Sequence, residues 1–414
     1  MPTLFTGWQY MLIDLANAFG LDKDLFEDRI HWAETNLPHL EQLVDQADSK
    51  PLFFKAMLAI RAVQRGEPVH HVVGLDACCS GIQVMSALTG CITGATNTGL
   101  VDPNVRADAY GTLQKVMENV LNGQVHVERG DSKQALMTMM YGSKKEPINV
   151  FGADTEELTA FYESSQIIAP GAYELLQDLL ASWRPYALEH SWQLPDGFQA
   201  KVKVMEKKEA RIEVDELDHA TFTYEFYENV GTKKGLSNAA NVVHSVDAYV
   251  LRCIHRRCNY NRELVEQAKV VIDLELEARA DNAAPILQPK DKLLYYVEQY
   301  NRSGMADVVI LPYITMGTGG TAHLTTEHLQ KMQALVDSML VHKPFPVITI
   351  HDEFKCGPNH MNHLRQHYIN IFAELAESNL LSDILSQIHG VQGTFTKLSN
   401  TLPQLIRGSN YALS

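Results

Sequence analysis

The stretch His71-Val-Val-Gly-Leu-Asp-Ala-Cys-Cys-Ser-Gly-Ile-Gln83 predicts a buried strand that ends at an acid and passes directly into a helix. Residues 69–75 are largely apolar and β-branched and follow Pro68, as is typical of a strand. Asp76 ends that strand, where an ionised carboxylate needs water, a charged partner or a metal ion. Ser80 is the expected N-cap of the next helix. This arrangement suits a Mg²⁺ ligand, although many such acids are only caps or turn residues.

A second β-branched run also leads into an acid. Residues 346–350 (Pro-Val-Ile-Thr-Ile) precede His351 and Asp352. Asp76 and Asp352 are 276 residues apart in the sequence, so they can share a metal site only if their strands are neighbours. Two Mg²⁺ ions held between them would activate an attacking hydroxyl and stabilise a leaving pyrophosphate.

A basic row lies on the helix that we expect at 131–140. Arg129, Lys133, Met137 and Tyr141 follow one another at four-residue steps and so share one side of that helix. The two cations could bind phosphate oxygens, and Tyr141 with Gly142 would end the helix beside the bound group. For the helix taken alone, an ordinary basic face on a packed helix explains the row equally well.

The composition indicates a large globular protein. Its 414 residues are 45% hydrophobic and 21% charged, which is enough for a sizeable core and two or more subdomains. No apolar run is long enough to cross a bilayer, the first residues do not resemble a signal peptide, and six scattered cysteines favour a reduced, cytoplasmic protein. The formal net charge of −15 counts mildly against a nucleic-acid binder, although binding depends on local fields.

Apolar periodicity predicts a helix-rich chain. We expect helices at 8–19, 25–35, 40–48, 52–64, 82–88, 103–121 (N-cap Asp102), 131–140, 238–254, 261–279, 291–300, 326–341 and 360–388. A further strand is expected at 308–313. Alternating runs at 198–204, 210–214 and 221–227 predict a protruding β-hairpin or three-stranded ribbon. Such a ribbon could enter a DNA major groove or could be a surface ribbon without a function.

These segments resemble motifs A, B and C of the single-subunit DNA-directed RNA polymerases of phage and mitochondrial type. Motif A is similar to residues 76–83, motif B to Arg129-Gly-Asp-Ser-Lys133 continuing through 137–144, and motif C to His351-Asp-Glu-Phe354. Three further segments resemble that family: 20–30 its palm upstream of motif A, 192–198 the start of its promoter-reading hairpin, and 244–247 its His-Ser-x-Asp segment. The resemblance therefore extends along the whole chain.

The resemblance implies a role for each candidate site residue. The metal ligands would be Asp76, the backbone carbonyl of Ala77, and Asp352. The nucleotide-binding residues would be Gly81, Arg129, Lys133, Tyr141 and Gly142. His244 and His351 would position the hybrid and the primer. The implied reaction is the addition of ribonucleotides to an RNA 3′ end on a DNA template, with two Mg²⁺ ions as cofactors. DNA, RNA and nucleoside triphosphates would be its partners.

The implied fold is a right-hand polymerase of the α/β class (α+β, helix-rich), with an antiparallel palm sheet that carries both catalytic Asp residues. Its expected parts are the first part of the palm at 1–105, the fingers at 106–237 with a β-hairpin at about 192–230, and the second part of the palm at 238–414 with an insertion at about 256–340. The insertion is inferred because nearly a hundred residues separate Asp247 from motif C, more than the family norm.

Two positions favour ribonucleotides over deoxyribonucleotides. Related DNA polymerases carry Glu where this chain has Gly81 and an aromatic residue where it has Met137. A DNA polymerase of the same type, or a non-catalytic nucleic-acid-binding subunit with the same fold, are the alternatives. Motif C departs from the family because Glu353 replaces the usual Ser, which adds an acid near the metals.

The family's N-terminal domain, thumb and Asp-x-x-Gly-Arg segment have no counterpart in the sequence, whereas residues 410–414 resemble the family's C-terminal end. The resemblance therefore implies the catalytic subunit of a split phage RNA polymerase in the cytoplasm of a host cell. A smaller subunit would supply the missing parts in a heterodimer, with no association with a membrane.

Overall fold

The computed structural model describes residues 2–281, 287, 291–315 and 317–414. They form a helix-rich α+β fold with small antiparallel sheets, as expected. The helices are α1 (Gly7–Phe19), α2 (Phe26–Asn36), α3 (Leu40–Leu43), α4 (Lys50–Gln64), α5 (Ser80–Thr89), α6 (Ile92–Asn97), α7 (Ala109–Val120), α8 (Arg129–Met140), α9 (Lys145–Phe151), α10 (Glu156–Ile168), α11 (Pro170–Ala181), α12 (Ser237–Cys258), α13 (Arg262–Asp281), α14 (Asp291–Ser303), α15 (Thr326–Leu340), α16 (Met361–Glu377), α17 (Leu380–His389) and α18 (Leu402–Arg407). The strands are β1 (Val73–Asp76), β2 (Glu189–Gln193), β3 (Gln199–Lys203), β4 (Met205–Val214), β5 (Ala220–Asn229), β6 (Ile348–Ile350) and β7 (Glu353–Cys356).

The central sheet joins the two ends of the chain. Its strand order is β1-β7-β6, and both pairs are antiparallel. β6 and β7 form a tight hairpin whose turn is His351-Asp352, with His351 at φ +55°. The C-terminal segment also reaches this sheet, because Ala77 pairs with Leu413 and the Ser414 N–H donates to the Asp76 carbonyl at 2.9 Å.

The main hydrophobic core surrounds α5, the helix that begins just after β1. Every residue of α5 is buried because α11, α12 and α16 all pack against it. A helix enclosed in this way cannot shift without disturbing the core, since protein interiors are close-packed. The segment from Asp76 into α5 is therefore held rigidly.

A second, smaller core lies within the region that we expected to be an insertion. Its buried residues come from α13, α14, α15 and the segment between α14 and α15, and include Ile272, Val297, Ile310 and Met332. The expected insertion also spans residues 282–286, 288–290 and 316, which lie outside the described residues.

Two hairpins follow α11. β2 pairs with β3, and β4 pairs with β5 over ten residues. Of the two expected alternatives, the three-stranded ribbon is therefore wrong, and the hairpin is present as β4–β5 beside a separate β2–β3 pair. Trp192 in β2 is buried and its indole N–H donates to the Ser245 hydroxyl at 2.9 Å, which anchors the first hairpin to α12. Every residue of β5 is exposed.

Several local predictions were wrong, among them the single helix expected at 360–388, which is two helices, α16 and α17. Val308–Tyr313 is a 3₁₀ helix rather than a strand, because the Asp307 carboxylate caps the Val309 N–H at 3.0 Å and the apolar side chains enter the second core. The helix expected from residue 103 begins at Ala109, since Asp102 instead accepts from the Asn104 N–H and stabilises a turn.

The N-cap of α5 is Cys79, at φ +61°, and Ser80 is the first helical residue. The prediction of Ser80 as the cap was therefore displaced by one position.

In the described part of the chain, no helix combines the length and apolar character needed to cross a membrane.

Candidate active site

The backbone brings Asp76 and Asp352 together. β1 and β7 are paired so that Asp76 lies directly opposite Glu353, and the Ala77 N–H donates to the Asp352 carbonyl at 3.2 Å. Asp352 lies in the turn before β7 and not within a strand. The two acids expected to share a site are therefore neighbours in space.

The electrostatics of this site suit a cation. Partial burial, Glu353 and Asp352 together raise the pKa of Asp76 to about 6, although its side chain is still reached by solvent. Burial and Asp352 likewise raise the pKa of Asp247 to about 6. Each acid is harder to ionise because other acids are close, and a bound cation would remove that repulsion. Carboxylate oxygens are also the ligands that Mg²⁺ prefers, so the residues fit the expected metal.

Asp76 also borders a cleft of about 190 Å³ between the sheet, α1 and α4. Glu353 lines the same cleft, where the Lys355 ammonium contacts its carboxylate at 2.7 Å. A Cβ on Gly74 would lie only 2.4 Å from a Glu353 carboxylate oxygen, so any larger residue there would displace that carboxylate. Glu353 therefore lies on the Asp76 side of the sheet, and its charge is partly neutralised by Lys355.

Three further candidates meet at the ends of α5 and α8. A Cβ on Gly81 would lie 2.9 Å from the Tyr141 hydroxyl oxygen, and the Tyr141 ring lies 4.3 Å from the His244 ring, centroid to centroid. Burial above all, with Asp247 next, raises the pKa of the Tyr141 phenol, so the phenol stays protonated. Gly142 follows at φ +92°, a conformation that favours glycine.

One of the two cations in the basic row on α8, Arg129, already has an acidic partner within the chain. The Arg129 guanidinium forms two hydrogen bonds to the Asp108 carboxylate, at 2.7 and 2.8 Å. Arg129 and Lys133 also lie 5.6 and 5.7 Å from the centroid of the Tyr110 ring. Lys133 is exposed and remains available to a ligand.

The cations and the acids are not in direct contact. Among the described residues, no hydrogen bond or ion pair joins Arg129 or Lys133 to Asp76 or Asp352. Tyr110 lies near both groups: its ring contacts the two cations, and burial first, then the nearby Cys79 with a contribution from Asp352, raises the pKa of its phenol. His351 is exposed in the turn before Asp352, and His244 is exposed on α12.

No role was predicted from the sequence for three residues of this site: Asp108, Tyr110 and Asp247. Asp247 belongs to the His-Ser-x-Asp segment at 244–247, one helical turn after His244. That spacing places the two side chains on the same side of a helix and was a signal that Asp247 belongs to the site. Asp108 and Tyr110 carried no comparable signal, because their importance arises from Arg129 and Lys133, which follow about twenty residues later.

Comparison with known proteins supports the resemblance over about a third of the chain. Residues 4–153 match the family model of DNA-dependent RNA polymerase. A "Probable DNA-directed RNA polymerase" of Neurospora crassa is 28% identical over 164 residues, which cover 34% of this chain and 18% of that protein. The "DNA-directed RNA polymerase" of Pseudomonas phage phiKMV is 24% identical over 172 residues, which cover 33% of this chain and 21% of that protein.

A mitochondrial DNA-directed RNA polymerase of Neurospora crassa is 24% identical over 164 residues, 33% of this chain and 12% of that protein. The chain is thus related to phage- and mitochondrial-type DNA-directed RNA polymerases, and the match covers no more than about a fifth of each relative's length. The family match contains the segments similar to motifs A and B and ends before residues 351–354.

Proposed function

We propose that this chain is the catalytic part of a DNA-directed RNA polymerase, a nucleotidyltransferase that adds ribonucleotides to an RNA 3′ end on a DNA template. The observation that carries the proposal is the hydrogen bond between the Ala77 N–H and the Asp352 carbonyl. Ala77 lies inside the family match and Asp352 lies outside it, so this hydrogen bond brings Asp76 and Asp352 to one site.

In this proposal Asp76, the Ala77 carbonyl and Asp352 hold two Mg²⁺ ions. When bound, these ions lower the pKa of the attacking hydroxyl and take up charge on the leaving pyrophosphate. The carboxylates fix the ions in place, and His351 positions Asp352 and the primer end. Asp247 adds negative charge to the same site and restricts where cations collect.

Arg129 and Lys133 bind the triphosphate. Phosphoryl transfer is accelerated mainly by positioning the reacting groups and by stabilising their negative charge. Two cations that lie apart from the acids leave a space for a negatively charged substrate. Asp108 pre-orients Arg129, whereas exposed Lys133 is free to follow the phosphates. Gly142 allows the turn that ends α8 at the nucleotide.

The sugar specificity follows from Tyr141 and Gly81. The Tyr141 hydroxyl occupies the place where a side chain at position 81 would stand, so the Glu of related DNA polymerases has no room here. We assign Tyr141 to the ribose and His244, against its ring, to the minor groove of the hybrid. These contacts favour an RNA polymerase over a DNA polymerase.

In the proposed organisation, residues 1–105 and 238–414 form the palm, residues 106–237 form the fingers, and the region at about 256–340 is an insertion. The second hydrophobic core supports the last assignment, because residues of the expected insertion bury one another. A segment with its own core can be inserted into a fold without disturbing the main one.

We further propose that a partner polypeptide completes the nucleic-acid channel. The formal charge of −15 repels a template, so the partner would supply cationic groups. On α4, which borders the Asp76 cleft, Phe54 and Leu58 are each about half exposed and lie one helical turn apart on the same face. Apolar side chains exposed together on one helix suit a contact with such a partner.

The test measures extension of a preformed RNA–DNA hybrid with Mg²⁺ and the four ribonucleotides. Asp76→Asn and Asp352→Asn should each reduce nucleotide addition at least about a thousandfold, since several kcal/mol of transition-state stabilisation would be lost. Asp28→Asn, an exposed acid on α2, is the matched control and should keep full activity. Near-normal activity of either site variant at saturating Mg²⁺ would contradict the assignment.

The proposed partner is tested with the same substrate. The chain alone should extend the hybrid only a few nucleotides per encounter and should lose activity steeply as salt is raised. Processive, promoter-dependent transcription by the chain alone would show that no partner is needed, without affecting the assignment of the acids.

A further inference from the structure

The β4–β5 hairpin exposes an aromatic strip that nothing in the proposed reaction uses. Phe222, Tyr224 and Phe226 alternate along β5 and so share one face, where they are 52, 45 and 37% exposed. The Tyr224 and Phe226 rings lie 5.6 Å apart. Large aromatic side chains gathered at this exposure typically mark an interaction site.

The opposite strand extends the same apolar face. The register places Ile212 opposite Phe222 and Ala210 opposite Tyr224. Lys208, opposite Phe226, forms an ion pair with Glu228 and so contributes little free positive charge. A two-stranded sheet is marginally stable alone, and covering this face would stabilise it.

The charge of the hairpin counts against its insertion into a DNA groove. Residues 205–229 contain eight Asp and Glu but only three Lys and Arg, a formal charge of −5. Glu206 and Glu228 lie at one end of the strip, and the turn that carries Asp215, Glu216 and Asp218 lies at the other. A DNA groove is lined by phosphates, which would repel acids placed at both ends of a reading element.

We propose that the β4–β5 hairpin is a docking site for a protein that presents an apolar face bordered by lysine and arginine. That face covers the strip formed by Phe222, Tyr224 and Phe226, and the basic border pairs with Glu206 at one end and with Glu216 and Asp218 at the other. Aromatic anchors surrounded by complementary charge are typical of specific protein interfaces. A second copy of this chain does not fit, because its acidic surface would meet the same acids.

The test uses the full chain and two fluorescent probes in anisotropy titrations. One probe is a helical peptide about 18 residues long, or five turns, with leucine on one face and lysine along its borders. The other is a duplex DNA of about 20 base pairs at low salt. The strip variant combines Phe222→Ser, Tyr224→Ser and Phe226→Ser. The control is Tyr227→Ser, which removes an exposed aromatic ring from the opposite face.

The strip variant should bind the peptide at least about tenfold more weakly, whereas Tyr227→Ser should change its affinity less than about twofold. Neither variant should change DNA affinity. Unchanged peptide affinity in the strip variant, or a selective loss of DNA affinity, would overturn the proposal. A second variant, Glu206→Lys with Glu228→Lys, keeps the aromatic rings and should also weaken peptide binding about tenfold. Unchanged peptide affinity there would equally overturn it.

Discussion

The hydroxyl oxygen of Tyr141 lies 2.9 Å from the position that a Cβ on Gly81 would occupy. Side-chain carbons are essentially never this close to a neighbouring heavy atom, so even alanine at position 81 forces the phenol to move. The residue that ends α8 and a residue in the first turn of α5 are therefore coupled, although they are 60 positions apart.

Gly81→Ala should reduce kcat/KM for ribonucleotides about tenfold, a loss of about 1.4 kcal/mol, because the displaced phenol no longer meets the sugar. Combining it with Tyr141→Phe should remove most of the additional loss, since the nearest remaining ring carbon would be 3.3 Å away. A double-mutant cycle measured by single-nucleotide addition checks the coupling. Strictly additive effects would mean that the contact has no role in substrate selection.

Tyr141→Phe alone should lower the preference for ribonucleotides over deoxyribonucleotides about tenfold, with little change in the maximal rate. The ring keeps its contact with His244, while the hydroxyl that would hydrogen-bond the sugar is lost. Competition between a ribonucleotide and its deoxy counterpart on the same hybrid measures the ratio. An unchanged ratio would remove Tyr141 from the sugar site.

Lys133→Ala should raise the apparent KM about tenfold for all four nucleotides and also slow the chemical step. In the proposed site its exposed ammonium would face the phosphates that every substrate shares, so no base should be affected more than another. Lys115→Ala, an exposed lysine on α7, serves as the control and should be neutral. A loss confined to one nucleotide would place Lys133 at the base instead.

Acid should destabilise the second core through His328. Its ring is buried against Tyr300, at 3.7 Å between centroids, and burial lowers the His328 pKa from 6.5 to about 3. Below pH 6.5 the unfolded chain binds a proton at this position that the folded chain excludes. Stability from neutral His328 is therefore present above pH 6.5 and is lost as the pH falls towards 3.

Between pH 7 and 5 this loss should amount to about 2 kcal/mol. His328→Phe should remove that share of the pH dependence, whereas His31→Phe, at an exposed position on α2, should not. Denaturant unfolding at the two pH values, followed by a probe in residues 262–340, measures the difference. An identical pH dependence in the His328 variant and the unmodified chain would contradict the assignment.

The sequence determined much of the local structure and the identity of the candidate site residues. Apolar periodicity predicted about half of the helices to within a few residues, including α8, because a helix that buries one face must repeat apolar side chains at its own period. The helices α9, α10 and α11 were not predicted. The strand ending at Asp76 was predicted from a run of apolar and β-branched residues, although it begins at Val73 and not at residue 69. Short apolar runs were less informative: 308–313 was expected to be a strand, yet a capping acid and the second core make it a 3₁₀ helix.

Only the tertiary structure decided how the site is assembled. The pairing that joins Ala77 to Asp352, the bidentate contact of Arg129 with Asp108, and the approach of Tyr141 to Gly81 each connect distant segments. Local sequence patterns report the period of one helix or strand and carry no information about which surface meets it. That choice is made when the whole core packs, because burial and hydrogen bonding must then be satisfied for all elements together.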